Sequence, residues 1–327
     1  MLDYRFELNG SDITEDILNF EYSENLDDVA SNFSFTSNTD FGLTSNVNNK
    51  TVLNELKIIN KNNNAFYLGY IADYEHTTDK NIYSYSGFDV GFYLNKNEVI
   101  IQFRNEKIFN ALEKLSRENE VKIGFIGEFK QKVSKIYKDV LFADVIKDLI
   151  KLEKDKGGAK DFYIDCKDGF LNIRQYVKEE DLTSLIGNGF LVKSDKTYSN
   201  VSVKQSIQEL KNRVIYSNNN EKSLLRVIQQ DNNSISTYGL LTTIETVDTN
   251  KNNNLKQLAH DKLNELNKIN EERNLELLGD YRISKGKVID FTNSDYGLNG
   301  VYLVTSATHE IDRQKELVKV SISKYKR

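Results

Sequence analysis

Gly300-Val-Tyr-Leu-Val304 and, after a polar turn, Val318-Lys-Val-Ser-Ile322 are the two segments that decide the fold of this chain. The second alternates apolar and polar side chains, and the first is rich in β-branched and aromatic residues. Both patterns are typical of β-strands, and a polar turn between two such runs indicates a hairpin. Lys287-Val-Ile-Asp-Phe291 precedes them as another strand-like run. The C-terminal part is therefore predicted to be antiparallel β-structure.

Further strands and one helix are predicted upstream of this hairpin. Val201-Ser-Val203 and the segment from Gln208 to Ile215 predict a strand pair. Residues 255–274 contain Leu258-Ala-His-Asp-Lys-Leu263 and predict a helix. We therefore expect residues 189–327 to form a β-barrel domain that carries this helix.

A second hairpin, in the first hundred residues, matches the C-terminal one. Phe66-Tyr-Leu-Gly-Tyr-Ile-Ala-Asp-Tyr-Glu75 and then Ile82-Tyr-Ser-Tyr85 correspond to Val301-Tyr-Leu-Val-Thr-Ser-Ala-Thr-His-Glu310 and then Leu317-Val-Lys-Val320. Four positions align without gaps: Tyr67 with Tyr302, Leu68 with Leu303, Glu75 with Glu310, and Ile82 with Leu317. One interpretation is that any two amphipathic hairpins look alike. The other is that the chain holds two copies of one barrel.

The rest of residues 1–103 also has the period of strands. Tyr4, Phe6 and Leu8 alternate with polar neighbours, as do Phe33 and Phe35, so one face of each strand is expected to be buried. We expect a first barrel here, with strands near residues 190–215 either completing it or opening the second barrel.

Residues 104–188 have a different, helical period. Ile108, Leu112 and Leu115 recur at helical spacing, and a second amphipathic helix is predicted from Phe142 to Lys154. After it, Lys167-Asp-Gly169 separates two alternating segments, and Asp-Gly in this position is a strong hairpin signal. The predicted fold class is therefore α+β, mainly β, with two tube-like barrels and an α+β domain between them.

The composition excludes several classes of protein. The 327 residues are 39% hydrophobic and 28% charged, with a net charge of -5, which is typical of a folded protein without a nucleic-acid-binding basic face. No apolar run approaches the roughly 20 residues that span a bilayer, and the first residues lack the pattern of a secretory signal. A single cysteine, Cys166, excludes an internal disulfide and suits synthesis in a reducing cytoplasm. We expect neither membrane insertion nor specific nucleic-acid binding.

The residue types that support catalysis are present but scattered. His76, His260 and His309 have no metal-ligand spacing, and Cys166 has no histidine near it in sequence. The acidic groups Glu179-Glu-Asp181 and Glu271-Glu272 lie in polar surroundings, where nothing would raise one carboxyl pKa for general acid catalysis. Lys135-Ile-Tyr-Lys138 and Lys324-Tyr-Lys-Arg327 are unspecific basic-aromatic groups. We therefore predict no catalytic, cofactor-binding or metal-binding residues, no cofactor and no enzyme activity.

The order and spacing of several segments resemble the baseplate hub proteins of contractile-tailed phages and phage-tail-like bacteriocins, the late-control D-protein family. The segments are Phe66 to Ile71, Tyr85 to Leu94, the helix beginning near Lys107, Glu209 to Val214, Tyr238 to Leu241, Leu278 to Asp280, and Tyr302 to His309. None of them is a catalytic signature, so the resemblance depends on their order.

The resemblance implies a trimeric ring between the sixfold tail tube and the threefold central spike. Each of three subunits would contribute two barrels, which favours the duplication interpretation of the two hairpins. The implied partners are two further copies of the chain, the tail tube protein, the spike protein, the tape-measure protein and other baseplate proteins. The implied location is the baseplate of a virion or tail-like particle made in a bacterial host cytoplasm.

Two other functions remain compatible with the sequence. The acidic groups leave open a tail-associated peptidoglycan hydrolase. The aromatic content of 11% leaves open a carbohydrate- or receptor-binding β-module, although most aromatic residues occupy alternating strand positions that predict core packing.

Overall fold

The computed structural model describes residues 4–47, 49–77, 81–157, 162–176, 198–218, 226–247, 254–312 and 315–325. The predicted fold class, α+β and mainly β, is confirmed. The chain divides into two compact units: Met1–Val201 together with Asn274–Arg327, and the segment Ser202–Arg273 between them.

The first part of the larger unit consists of strands, as the alternation of Tyr4, Phe6 and Leu8 predicts. They are β1 (Tyr4–Leu8), β2 (Ser11–Asp12), β3 (Ile17–Asn25), β4 (Asn32–Ser37), β5 (Thr44–Val47), β6 (Lys50–Leu53), β7 (Glu55–Asn60), β8 (Ala65–Thr77) and β9 (Ile82–Phe88). Their inward side chains form an aromatic-rich core that includes Phe6, Phe33 and Tyr85. We refer to β3, β4, β7, β8 and β9 as the first β-repeat.

The α+β segment follows. Its elements are α1 (Gly91–Leu94), β10 (Glu98–Lys107), α2 (Ile108–Glu118), β11 (Ile123–Ile126), β12 (Lys132–Leu141), α3 (Phe142–Asp155), β13 (Phe162–Asp165) and β14 (Leu171–Gln175). The two predicted helices are confirmed, and Ile108, Leu112 and Leu115 are fully buried on one face of α2. The Asp-Gly hairpin is also confirmed, since β13 and β14 pair antiparallel and Gly169 takes the left-handed conformation (φ +84°) that its turn requires.

The smaller unit begins within β15 (Tyr198–Ser206). Its own elements are β16 (Arg213–Asn218), β17 (Arg226–Gln230), α4 (Asn232–Tyr238), β18 (Thr242–Val247) and α5 (Leu255–Leu266). Strand β16 lies in the centre, antiparallel to β17 and parallel to β18. The Asp231 side chain caps α4 by accepting from the backbone N–H groups of Asn233 and Ser234.

The remaining strands complete the larger unit: β19 (Asn270–Leu278), β20 (Val288–Asn293), β21 (Leu298–Asp312) and β22 (Glu316–Lys324). The predicted closing hairpin is confirmed, with Val304 opposite Ile322. These strands share a second apolar core that includes Leu275, Phe291 and Val320. We refer to β15, β19, β20, β21 and β22 as the second β-repeat.

Two details of the predicted strands and helix are wrong. The helix expected over residues 255–274 ends at Leu266, and β19 begins at Asn270. The reason is the period of the sequence, because Leu275 and Leu277 are both buried while the residues on either side of Leu277 are not. That spacing of two belongs to a strand.

The strand pair predicted from Val201–Val203 and the segment beginning at Gln208 is also wrong. Strand β15 lies beside β19, and β16 begins only at Arg213. The chain turns between them, and the buried side chain of Asn212 donates to the carbonyl of Gly239 and accepts from the N–H of Leu241. These bonds hold Asn212 at the start of β16. Of the strands predicted near residues 190–215, those over residues 190–197 lie outside the described residues.

Candidate assembly interface

The two β-repeats have the same strand register at their centre. Strand β7 pairs antiparallel with β8, and Ile58 lies opposite Tyr67. Strand β20 pairs antiparallel with β21, and Ile289 lies opposite Tyr302. Tyr67 and Tyr302 are the residues aligned in the sequence match, and both are buried. The match between the hairpins therefore extends to the three-dimensional arrangement of three strands in each repeat.

The order of strands is also the same in both repeats. In the main sheet the first runs β3-β4-β9-β8-β7, and the second runs β15-β19-β22-β21, with β20 paired to β21. A short link, residues 26–31, joins β3 to β4, whereas the smaller unit, which begins within β15 and ends within β19, separates these two strands in the chain. The second repeat is thus a copy of the first pattern with a folded segment inserted at one connection.

The repeats are joined edge to edge. Strand β21 is long, and its first half pairs with β20 while its second half pairs antiparallel with β3. Phe20 lies opposite Ile311 and Tyr22 lies opposite His309 in this ladder. All four side chains are at most 3% exposed. The main sheet therefore continues without a break from one repeat to the other.

His309 is a structural residue of this junction. Its ring stacks on Tyr22 with centroids 4.2 Å apart and planes 5° apart. Its Nε2–H donates to the carbonyl of Ile283 at 2.8 Å, and Nδ1 lies 3.4 Å from Glu316 Oε1. Tyr4 donates to the other Glu316 oxygen at 2.7 Å; burial and then this carboxylate raise the pKa of the Tyr4 hydroxyl. Both ring nitrogens of His309 therefore face protein groups.

Lys285 lies just before β20 and binds the turn that follows β3. It is 2% exposed, and its Nζ donates to the carbonyls of Asn25 and Asp28 at 3.1 and 2.8 Å. Its backbone N–H donates to Glu24 Oε1 at 3.0 Å. Glu24 is itself buried. Buried charges of this kind are tolerated only when they are paired and hydrogen-bonded, so the contact specifies one geometry.

Lys167 connects the α+β segment to the same place. Its Nζ lies 3.5 Å from Glu24 Oε2 and donates to Ser284 Oγ. Burial opposes the charged ammonium, but the carboxylates of Glu24 and Asp165 outweigh it and raise the pKa of Lys167. The Lys167 carbonyl also accepts from the N–H of Leu68 in β8 at 2.6 Å. The β13–β14 turn is thereby held against both repeats.

Asp89 is a buried carboxylate at the end of the first repeat. Its oxygens accept from the backbone N–H groups of Ser31 and Gly91 and from the Ser31 hydroxyl. Burial raises its pKa to about 6, although these hydrogen bonds and the positive charge of Lys285 act in the opposite direction. The group therefore titrates near neutral pH while holding the β3–β4 link in place.

The far half of β8 and the outer edge of β15 correspond to the two strands of this junction, but within the described ranges neither pairs with a further strand. Beyond Ile71, whose N–H donates to the Asn54 carbonyl, no described strand pairs with β8 on the side of β7. Every residue of β8 from Asp73 to Thr77 is exposed. Strand β15 is at the end of the main sheet, with β19 as its neighbour. Tyr74 on β8 and Val203 on β15 are 38% and 36% exposed.

The histidines and the cysteine considered in the sequence lie in separate environments. His76 is exposed on β8 and stacks on Tyr83 at 4.3 Å, His260 is exposed on α5, and His309 is in the junction. Cys166 is buried, and burial raises the pKa of its thiol. The described residues contain no group of three or more His, Cys, Asp or Glu side chains suited to hold a metal ion.

The acidic and basic candidates are engaged in local contacts. Glu271 pairs with Arg273 at 2.6 Å, and Glu272 pairs with Lys204 at 3.3 Å. As neighbours in a strand these two glutamates point to opposite faces. Lys135 pairs with Asp148 and lies over the ring of Tyr137. Glu179, Glu180 and Asp181 lie outside the described residues, as do the last two residues of Lys324–Arg327.

The buried polar residues of the junction were missed by the sequence analysis. One signal could have found Glu24, since it follows Phe20 and Tyr22 at the inward positions of β3. A carboxylate at the third inward position of an apolar strand requires a buried partner. Lys285 and Asp89 carry no comparable signal.

In the described part of the chain, no helix is long and apolar enough to cross a membrane.

Comparison with solved structures places this architecture among tail proteins. The 43 kDa tail protein of prophage MuSo2 from Shewanella oneidensis has a TM-score of 0.68, 12% sequence identity, and coverage of 98% of each chain. The c3393 protein of E. coli has a TM-score of 0.55 and 12% identity over 99% of this chain and 77% of that one. That protein is described as a type VI secretion system component with structural similarity to the T4 bacteriophage tail proteins gp27 and gp5. The fold is thus that of phage tail proteins and their secretion-system counterparts.

Sequence comparison gives the family. The YQBQ-like family model matches residues 20–323, and the chain belongs to this family. The phage-like element PBSX protein XkdQ of Bacillus subtilis (strain 168) is 19% identical over 253 residues, which cover 76% of this chain and 75% of XkdQ.

Proposed function

We propose that this chain is the structural hub of a contractile-tail baseplate, as the hub proteins of the late-control D-protein family are. In this proposal three copies form a ring, each contributing a barrel from residues 1–103 and a barrel from residues 189–327, with the α+β domain of residues 104–188 between them. Six barrels then face the sixfold tail tube, and three chains face the threefold central spike.

The observation that carries the proposal is the duplication. Two β-repeats with the same strand order and the same central register lie side by side in one sheet. A chain that presents two equivalent modules converts a threefold assembly into a nearly sixfold one. The buried contacts of Lys285 and Lys167 support this role, because they fix the first repeat, the second repeat and the α+β segment in one geometry.

The similar proteins support a place for this chain in a phage tail or a related particle. The Shewanella protein is a prophage tail protein, XkdQ belongs to a phage-like element, and the E. coli protein is a type VI secretion component. The particle would be a virion or a phage-tail-like bacteriocin, and the expected partners are the tube, spike, tape-measure and other baseplate proteins. With a net charge of -5, the ring would let DNA or a tape-measure protein pass its channel without sticking.

The proposed role is mechanical and not enzymatic. The paired glutamates that motivated a hydrolase, Glu271 and Glu272, are each engaged with a basic residue and point to opposite faces of β19. A glycosidase needs two carboxyl groups that converge on one bond. The geometry of these two residues gives that alternative no support.

The solution mass of the purified chain, measured by light scattering with and without the spike protein of its particle, tests the proposal. The expected result is a trimer, about three times 37.7 kDa, either alone or on addition of the spike. A chain that stays monomeric at every concentration and does not bind the spike would contradict the hub role.

A further inference from the structure

We propose that the far half of β8 in one copy pairs antiparallel with the open edge of β15 in the next copy, with Tyr74 opposite Val203 and His76 opposite Val201. This inference rests on the proposed ring and names the strands that close it. The partner is a second copy of this chain, and the contact is a strand-to-strand continuation of the main sheet.

The pairing of β21 with β3 inside the chain is the model for the proposed contact between copies. On the β20 side of β21, the first half of the strand pairs with β20 and the second half pairs with β3 of the other repeat. On the corresponding side of β8, the first half pairs with β7. Strand β6 lies near the start of the second half of β8 on that side, but no described strand pairs with this half, although its position is equivalent to the half of β21 that β3 covers.

The register on β8 follows from the aligned tyrosines. Beyond these tyrosines each long strand carries one bulge, after Ile71 in β8 and after Val304 in β21. Counting from Tyr67 and Tyr302 across one bulge each, Tyr74 corresponds to His309. The face is also the same, because Tyr74 lies opposite the inward residue Tyr85, just as His309 faces the core from β21.

The register on β15 follows from burial. Strands β3 and β15 each have nine residues, and the fourth residue of each is buried, namely Phe20 and Val201. Tyr22 then corresponds to Val203. Because Tyr22 lies opposite His309 and Phe20 lies opposite Ile311 within the chain, their counterparts predict the pairs Tyr74 with Val203 and His76 with Val201.

The chemistry of the two edges fits this pairing. An open strand edge exposes unpaired backbone N–H and C=O groups, which template pairing with another chain. Tyr74 and Val203 are both large apolar side chains exposed by more than a third, and an aromatic residue opposite a β-branched one is a favourable cross-strand pair. The two edges lie on different strands, so the contact is heterologous and closes into a ring when its rotation permits.

Engineered cysteines test the register directly. In a protein carrying Tyr74→Cys and Val203→Cys, the paired positions would lie within the Cα separation that a disulfide spans, about 4.4–6.8 Å. The native Cys166 is 1% exposed and does not compete. Mild oxidation is expected to give a covalent trimer on non-reducing electrophoresis. Each substituted side chain is partly exposed, so both changes are compatible with folding.

Two controls fix the geometry of the contact. The pair Tyr74→Cys with Lys204→Cys moves one cysteine to the opposite face of β15 and is expected to give at least tenfold less crosslinking. A mixture of the two single variants, Tyr74→Cys and Val203→Cys, is expected to stop at covalent dimers, because each copy then carries one half of the contact.

The outcomes separate this inference from the ring itself. A trimer by light scattering that crosslinks equally through both cysteine pairs, or through neither, overturns the strand pairing and leaves the hub role standing. A covalent ladder beyond the trimer supports the strand pairing and contradicts threefold closure. A monomer at all concentrations, with no crosslinking, overturns both.

Discussion

The second halves of β21 and β8 are equivalent in the two repeats but differ in what covers them. Between Ser306 and Asp312 every second residue of β21 is buried, and β3 pairs along this whole stretch. Between Asp73 and Thr77 every residue of β8 is exposed. The strands have the same position in the same strand order, and the difference is that β3 pairs with β21, whereas no strand in the described part of the chain pairs with β8 at the equivalent place.

This comparison shows how a duplicated chain can build an assembly. A single repeat has one edge that resembles β3 and one that resembles the far half of β21. Two repeats in one chain satisfy one pair of these edges internally, and no strand among the described residues pairs with the other two edges. Exposed edges are normally blocked in proteins that act alone, and the proposed ring would cover this pair with a further copy of the chain.

The largest expected change in the free energy of unfolding is at the junction where β3 pairs with β21. Tyr22→Ala removes a ring that is 1% exposed and stacked on His309, and it should lower the free energy of unfolding by about 3–5 kcal/mol. Val203→Ala, at the equivalent place on β15, should lower it by less than about 1 kcal/mol. Urea unfolding of the monomeric chain, or of the chain held below its association concentration, measures both.

A matched control isolates packing from hydrogen bonding at this site. The hydroxyl of Tyr22 is buried without a hydrogen-bond partner among the described residues. Tyr22→Phe should therefore be neutral or stabilising, since it removes an unpaired polar group. Equal losses for Tyr22→Ala and Val203→Ala would contradict the assignment of one edge as buried and the other as open.

The next effect concerns the lysine that joins the repeats. Lys285→Met keeps the length of the side chain but leaves the carbonyls of Asn25 and Asp28 without their donor. A loss of about 2–4 kcal/mol in the free energy of unfolding is expected. Lys319→Met, which breaks an exposed pair with Glu310, is the control and should cost less than about 1 kcal/mol. Similar losses for both would show that the Lys285 contacts contribute little.

A smaller effect should appear in the pH dependence of stability. The pKa of Asp89 is raised to about 6 in the folded protein, so the folded state binds more protons than the unfolded state between that value and the ordinary carboxyl pKa. The destabilisation by this buried charge is complete above pH 6 and is relieved as the pH falls through 6. Relative to Asp89→Asn, the natural chain should gain about 2 kcal/mol between pH 7.5 and pH 4.5.

Urea unfolding of the two proteins across this pH range measures the difference. The comparison with Asp89→Asn is needed because other carboxylates titrate in the opposite sense; Asp148, for example, has its pKa lowered by Lys135 and Tyr137, which outweigh burial. Stability curves that stay parallel from pH 7.5 to pH 4.5 would contradict a raised pKa at Asp89.

The smallest effect is expected from the glutamates of β19. Glu271→Gln combined with Glu272→Gln removes two partly exposed ion pairs, which should change stability by no more than about 1 kcal/mol each. Infection or killing by particles that carry the double variant should be unchanged. A loss of peptidoglycan cleavage with normal particle assembly would instead favour the hydrolase alternative.

The sequence predicted the elements that depend on local pattern. The period of apolar residues identified α2, α3 and most strands, and the alignment of Tyr67 with Tyr302 identified the two related hairpins. Sequence pattern failed where long-range pairing decides, as at β15, whose neighbour β19 follows after more than sixty residues. The junction residues Lys285 and Asp89 were beyond its reach, because buried charge depends on partners that lie far away in the chain.

A cryo-electron microscopy reconstruction of the purified assembly, calculated without imposed symmetry, tests the proposed ring most directly. The expected reconstruction has three chains in a ring with six evenly spaced β-modules around a channel, and with β8 of each chain beside β15 of the next. A ring in which the two repeats of one chain occupy unlike positions, or an assembly in which either edge stays open to solvent, would contradict it.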